Sequence, residues 1–458
     1  MIQHYWAPSA LLSDGWANAV RFEVDAQGMI ITITPDASAD EAEMLRGPVV
    51  PGMPSLHSIS FQRALAGLTE KGGPQGDSFW SWRKLMYRFL EGLQPDDIEA
   101  ITTQVQIEML RAGYTSVAEF HYLHHQPGGA PYANSAEIGE RLIAAAETTG
   151  IAMTLLPVLY AHDSFGGTPP TAGQRRFVTD LPRFASIVET LNARLQGRRG
   201  LRLGIAPHSL RAVTPAQLQA AVVLADTIDA TMPIHINAAV QQKEVDDCLA
   251  WSGRRPVNWL LDNQNLGPRW CLIHATHTEV GEAERFARTG AVAGLCPTTE
   301  GDLGDGFFNA VPFLRAGGRI GIGNDSHVGV DPFLELKLFE YGQRLRFERR
   351  NVLAKGIGAS LGGHLYRITA AGGAQALGQP VGTLAEGQRA DWLVLDSDEP
   401  ALAEHSGDGL LDAAIFGPAR RPVRDVMVAG RWCVRDGEHP QQAASFARYR
   451  TVMKRLLS

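Results

Sequence analysis

Cysteine is scarce. Four occur in 458 residues, Cys248, Cys271, Cys296 and Cys433, and no two stand in CxxC spacing. This pattern fits free thiols in a reducing compartment better than a disulfide framework, so the cytoplasm is the expected location. Long apolar runs are also missing: no stretch of about 18 apolar residues occurs, and the N-terminus MIQHYWAPSALLSDGW lacks a positive segment followed by an apolar one. Neither secretion nor membrane spanning is therefore expected. A basic surplus is absent too, with 42 Lys and Arg against 49 Asp and Glu, a net charge of -7 and a pI near 6.1. Nothing here would neutralise phosphates or an anionic membrane surface, which argues against nucleic acid and lipid partners. Internal repeats and low-complexity tracts are likewise absent.

What is present is length and alternation. The chain exceeds the size at which one core usually stops growing, so a large domain with a smaller one is expected. From residue 49 to about 327, short β-rich runs alternate with helical patterns, the signature of βα units around a parallel sheet. Eight strands are predicted, over 49–57, 114–122, 151–160, 201–209, 232–237, 270–276, 291–296 and 319–325. Between them, segments such as DDIEAITTQVQIEMLRAG, SAEIGERLIAAAETTG and TPAQLQAAVVLADTID repeat their apolar residues at three and four, and the first two end in Gly. The fold class is α/β, a (β/α)8 TIM-like barrel over 49–375. Both chain ends show strand-like alternation, as in VRFEVDAQGMIITITP and VRDVMVAGRWCVRDG. Residues 1–48 and 376–440 are expected to pair into one small β-sandwich, followed by a C-terminal helix over 441–458.

In such a barrel the chemistry sits at the carboxyl ends of the strands. His57 ends the first strand; Glu119, His121 and Tyr122 the second; His208, with Arg211 just after, the fourth. The fifth carries His235 and Asn237, the sixth offers His274 and His277, and the eighth ends in Asp325 and His327. Seven of the fourteen histidines thus fall at strand ends of one sheet, which packing alone does not explain.

The stretches PGMPSLHS, FQRALAGL, DSFWSWRKLMYR, AGYTSVAEFHYLHH, HSLRAVTP, QQKEVDDCLAWSGRRP, CLIHATH, GDLGDGFF, GIGNDSHV and VGTLAEGQRADWLVLD cover nearly the whole chain. On these the sequence resembles the amidohydrolase superfamily, and within it the formimidoylglutamate deiminase family. The resemblance implies a reaction in which metal-bound hydroxide attacks an amidine carbon and releases ammonia. It also implies a metal held by His-x-His on strand one, a His on strand five and an Asp on strand eight, with a Glu three residues after the strand-five His as proton shuttle. Those positions are His57, Ile59, Asn237, Asp325 and Val240 here. Ile59 has no lone pair, Asn237 offers a weak neutral oxygen, and Val240 cannot move a proton. His57 and Asp325 alone fall short of the three protein ligands of a catalytic zinc site.

The resemblance further implies substrate contacts at Gln62, Arg83, Tyr122, His208 and Arg211, all retained, with Arg83 and Arg211 suited to the carboxylates of a dicarboxylic amino acid derivative. Three readings stay open. The preferred one is metal-independent acid/base chemistry by His274, Asp325 and His57 on a glutamate-like or formimidoyl-type amino acid, with no cofactor. The second is a metal-dependent C–N hydrolase with zinc rearranged around His57, His274 and Asp325, and the third a catalytically dead binding or regulatory protein. Asp302, at a position where the family usually has Asn, is expected to add negative charge beside the pocket. A homodimer is the expected assembly.

Overall fold

The barrel strands are buried on both faces, as strands covered by helices outside and packed core inside must be. In the computed structural model, which describes residues 1–70 and 79–458, strands Tyr114–His121 and Ala152–Leu159 are buried at every residue. Residues 77 and 78, which open the stretch DSFWSWRKLMYR, lie outside the described residues. Barrel strands one to three are Met53–Ser58, Tyr114–His121 and Ala152–Leu159; strand four comes in two pieces, Leu201–Leu203 and Ala206–Pro207. Strands five to eight are Ile234–Ala238, Trp270–His274, Val292–Leu295 and Arg319–Ile322. Neighbours pair in parallel throughout.

Two seams close the ring. Parallel bridges Ile205↔Ile234 and Ser209↔Asn237 join strand four to strand five, and Ser58↔Asp325 joins strand one to the end of strand eight. At the second seam Asn324 and Asp325 donate their N–H groups to the His57 carbonyl, at 2.8 and 3.0 Å, and Ile59 donates to the Asp325 carbonyl at 2.9 Å. Gly323 is required there, because a Cβ at this position would stand 2.7 Å from the His57 nitrogen.

The outer helices follow the sequence pattern. Pro95–Ala112 ends at Gly113, whose φ of 117° is open to glycine, and Pro215–Ile228 starts from a capping box of Thr214 and Gln217. Strands six and eight are shorter than predicted, ending at His274 and Ile322 rather than 276 and 325. The backbone leaves extended geometry there: His274, the last residue of strand six, Ala275 after it, and Asp325 beyond strand eight adopt φ of 67°, 48° and 44°.

The chain ends meet in one eight-stranded sheet. Its order runs Arg431–Val434, Val423–Val428, Trp392–Leu395, Val49–Pro51, Gln3–Leu12, Gly15–Val24 and Ile30–Thr34, with Glu43–Met44 paired to Gln3–Leu12. Tyr5, Phe22, Trp392 and Met427 fill its core. The strand Val49–Pro51 runs through Gly52 into barrel strand one, so sheet and barrel share backbone. A buried polar chain ties them again. Asp391 takes both Arg389 Nε and Nη2, at 2.8 and 2.7 Å, and the Ala429 N–H at 2.8 Å; Arg389 reaches Gln379, which donates to Thr154 on strand three. The helix Gln442–Leu456 lies against Pro95–Ala112 through Ser445–Gln104 and Arg455–Asp97 contacts. Among the described residues no helix is long and apolar enough to cross a membrane.

Removing one partner of a buried ion pair strands the other charge, at a cost of about 3–5 kcal/mol. Asp391→Ala is therefore expected to lower the thermal unfolding midpoint by several degrees in calorimetry; a midpoint unchanged within about 1 °C contradicts this reading of the sheet–barrel tie.

Candidate active site

The strand ends of the barrel open into one cavity. It is lined by His57, Ile59, Gln62, Arg83, Tyr122, His208, Arg211, Asn237, Val240, His274 and Asp325, together with Trp82, Met86, Tyr87, Tyr160, Phe177, Gln241, Glu244, Leu303 and Asp305. All eight residues assigned catalytic or substrate-binding roles from sequence thus share one space, as do Ile59, Asn237 and Val240, where the resemblance implied other residues. Strain concentrates here: Ala239, His274, Ala275, Asp325 and His327 all carry positive φ without being glycine. Such conformations cost about 1–3 kcal/mol each and persist where the surroundings over-determine them.

At the floor, the Asp325 carboxylate stands between two imidazoles. His57 Nε2 lies 3.5 Å from Oδ1, and His274 Nε2 lies 3.5 Å from Oδ2. These are charge contacts, longer than good hydrogen bonds. The other His274 nitrogen, Nδ1, faces Glu300 Oε1 at 3.2 Å; a carboxylate only accepts, so Nδ1 carries the proton. Burial alone would lower the His274 pKa, but the Glu300 hydrogen bond and the Asp325 charge outweigh it and raise it to about 9. For His57 burial wins and the pKa falls despite Asp325. Burial pushes Asp325 up, yet contact with His57 and the charges of His57 and His274 hold it below the usual carboxylate range.

Ligand atoms of His57, His274 and Asp325 all lie within 4.8 Å of one another. Three protein donors are what a catalytic zinc site uses. Both His57 ring nitrogens are buried with no hydrogen-bond partner among the described residues, and so is Asn237 Oδ1. Glu300 behind His274 is the kind of outer carboxylate that orients a ligating imidazole and raises its basicity. The residues therefore fit one divalent ion on a reduced set of strong donors. The expectation of metal-independent chemistry finds no support in this arrangement.

Two guanidiniums, Arg83 and Arg211, line the same cavity. Gln62 Nε2 donates to Tyr122 Oη at 2.9 Å. Arg83, half-buried, pairs with Asp163 at 3.3 Å and lies over the Tyr87 ring, and Arg211 is buried. Burial first, then the charges of Arg211 and Arg83, hold the His208 pKa well below its ordinary value.

Several strand-end residues serve elsewhere. His235 Nε2 donates to the Ala376 carbonyl at 2.8 Å and does not line the cavity, so it cannot replace Asn237. Glu119 and His327 both bind the Ser58 hydroxyl behind the site, and the His121 ring packs on His124. His277 stays outside the lining. Asp302 is exposed and is not among the lining residues; the acidic contribution from that loop comes from Asp305, whose pKa burial raises to about 7. Glu244, Glu300 and Asp305 escaped the sequence reading. Glu244 and Asp305 lie within quoted stretches, QQKEVDDC and GDLGDGFF, but off the strand ends where candidates were sought.

The model of the amidohydrolase family matches residues 49–433, and that of the formimidoylglutamate deiminase HutF N-terminal domain matches residues 4–47. The chain is 54% identical over 452 residues to the formimidoylglutamate deiminase of Pseudomonas aeruginosa, covering 99% of each chain. It is 30% identical to the 8-oxoguanine deaminase of the same organism, over 92% of this chain and 90% of the relative. The crystal structure of an amidohydrolase from Brucella melitensis superposes with a TM-score of 0.95 at 45% identity, covering 100% of both chains.

If the donors form a metal site short of strong ligands, zinc titration of metal-stripped protein should show one equivalent bound, and Asp325→Ala should abolish it. The double change Ile59→His and Asn237→His should then tighten binding by about tenfold or more, since each adds an imidazole in place of a non-ligand or weak one. No saturable zinc binding by the natural sequence contradicts the fit.

Proposed function

The chain belongs to the amidohydrolase family, and from that premise we propose that it hydrolyses the C–N bond of a formimidoyl-type amino acid bearing two carboxylates, N-formimidoylglutamate or a close analogue. The observation that carries this reading is the shared cavity: two guanidiniums, Arg83 and Arg211, line the same space as the His57, His274 and Asp325 cluster. The 54% identity to a formimidoylglutamate deiminase over 99% of the chain supports the same chemistry.

The residues divide the work by position. Arg211 and Arg83 present planar forks that match carboxylate geometry and place the glutamate-like part of the substrate. Gln62 and Tyr122, already bonded to each other, add polar contacts beside them. His208 stays neutral and offers a ring N–H without competing charge. Trp82, Met86, Tyr87 and Phe177 supply apolar wall that excludes bulk water and strengthens these contacts. The amidine end then reaches the floor, where His57 and Asp325 face the reacting carbon and Glu300 keeps the His274 ring fixed through Nδ1. A divalent metal on His57, His274 and Asp325 would supply Lewis acidity and a water of lowered pKa. The zinc titration tests whether these residues hold such an ion.

Ammonia release from N-formimidoyl-L-glutamate, measured with and without added zinc, tests the reading. Turnover is expected, and Arg211→Ala should raise KM about tenfold or more, the equivalent of a lost charge-assisted contact of about 1.5–3 kcal/mol. Binding of dicarboxylates without turnover of any formimidoyl substrate would instead favour a dead binding protein.

A further inference from the structure

Hydrolysis of an amidine moves protons as well as a water: one must leave the attacking water and one must arrive at the departing nitrogen. The position from which the family resemblance implies this service is Val240, which has no titratable group. The cavity wall beside it does. Glu244 stands in the first turn of helix Gln242–Ser252, is 1% exposed, and lines the same space as His57, His274 and Asp325. Its Oε2 accepts the backbone N–H of Val240 at 3.0 Å, which hangs the carboxyl group directly against residue 240. Its Oε1 is buried and has no hydrogen-bond partner among the described residues. A buried carboxylate oxygen left without a donor is costly, and at a reaction cavity the missing donor is readily supplied by a water or a substrate nitrogen.

We propose that Glu244 is the proton-transferring catalytic residue of this site, working from four residues beyond position 240, where Val240 offers no titratable group. Oε1 takes a proton from the attacking water as the new C–O bond forms and the π electrons of the amidine move to its terminal nitrogen. Glu244 returns that proton to the terminal nitrogen, the C–N bond breaks, and ammonia leaves. Loss of the remaining hydroxyl proton to solvent gives the formyl C=O, so that the protonated amidine plus water becomes formamide, ammonia and one proton, and Glu244 ends ionised as it began. The surroundings favour this role, since burial raises the Glu244 pKa above the ordinary carboxylate value against the opposing charge of Arg211, which brings it closer to neutral operating pH. Asp305 also lines the cavity with one unpartnered oxygen, but its other oxygen is bound by Gln241 and it has no link to the backbone at 240.

The inference rests on the hydrolase reading above, and one steady-state experiment on ammonia release from N-formimidoyl-L-glutamate separates the two. The wild type is expected to turn over, and Glu244→Gln, which keeps an acceptor for the Val240 N–H, is expected to lose about 100-fold or more in kcat with KM within about threefold. A kcat within about fivefold of wild type, or a raised KM with kcat kept, overturns the role of Glu244 while leaving the hydrolase reading intact. Should Glu244→Gln not fold, Glu244→Asp decides: a folded protein with kcat down about tenfold or more supports the proposal, and wild-type kcat overturns it. A wild type that releases no ammonia from any formimidoyl substrate overturns the hydrolase reading and this inference with it.

Discussion

The closure of the barrel between strands one and eight is the constraint on which the site depends. The backbone of His57 and the backbone of Asp325 are bonded to each other across this seam, through the paired N–H groups of Asn324 and Asp325 on the His57 carbonyl. The same two residues put their side chains 3.5 Å apart on the cavity floor. Ring closure and site assembly are thus one event: a chain that fails to bring its eighth strand home has neither a barrel nor a reaction centre. The positive φ of Asp325 and His274 follows from this, because the side chains must turn inward just where the ladder stops. Glu300 holds the His274 ring through Nδ1.

Around that fixed frame, the three positions where the resemblance implies other residues carry side chains that pack well but cannot ligate strongly or move a proton. Ile59 and Val240 are buried at 6% and 8% exposure and keep the cavity wall continuous, while Asn237 keeps its backbone bond to the His208 carbonyl. What remains is a floor with fewer strong donors and a wall where carboxylates at Glu244 and Asp305 balance the guanidiniums. A formimidoyl amino acid carries the complementary pattern, negative at its carboxylates and cationic at its amidine.

Much of this was legible in the sequence. Buried parallel strands announce themselves as largely apolar runs, and of the polar residues at or just past their ends His57, Tyr122, His208, Arg211, Asn237, His274 and Asp325 meet in the cavity, while Glu119, His121, His235, His277 and His327 do not. Period and composition could not report how a strand ends. Two predicted strands end early, with positive φ at His274 and Asp325, and nothing in residue type announces such a φ at His or Asp. Direction was also hidden: His235 has the right spacing to face the centre, yet its ring nitrogen binds a helix carbonyl at Ala376. Glu244 and Glu300 lie on helices that follow strands five and seven, where a carboxylate ordinarily means solvent. Only the packed structure shows them turned inward.

The central claim is that substrate anchors and reaction centre act on one molecule in one cavity. A crystal structure of the protein soaked with a slowly hydrolysed formimidoylglutamate analogue tests it most directly. The account predicts the ligand carboxylates on Arg83 and Arg211, with the amidine carbon over His57, His274 and Asp325 and its nitrogens toward Glu244. A ligand bound with its amidine pointing to solvent, or bound outside this cavity altogether, would contradict it.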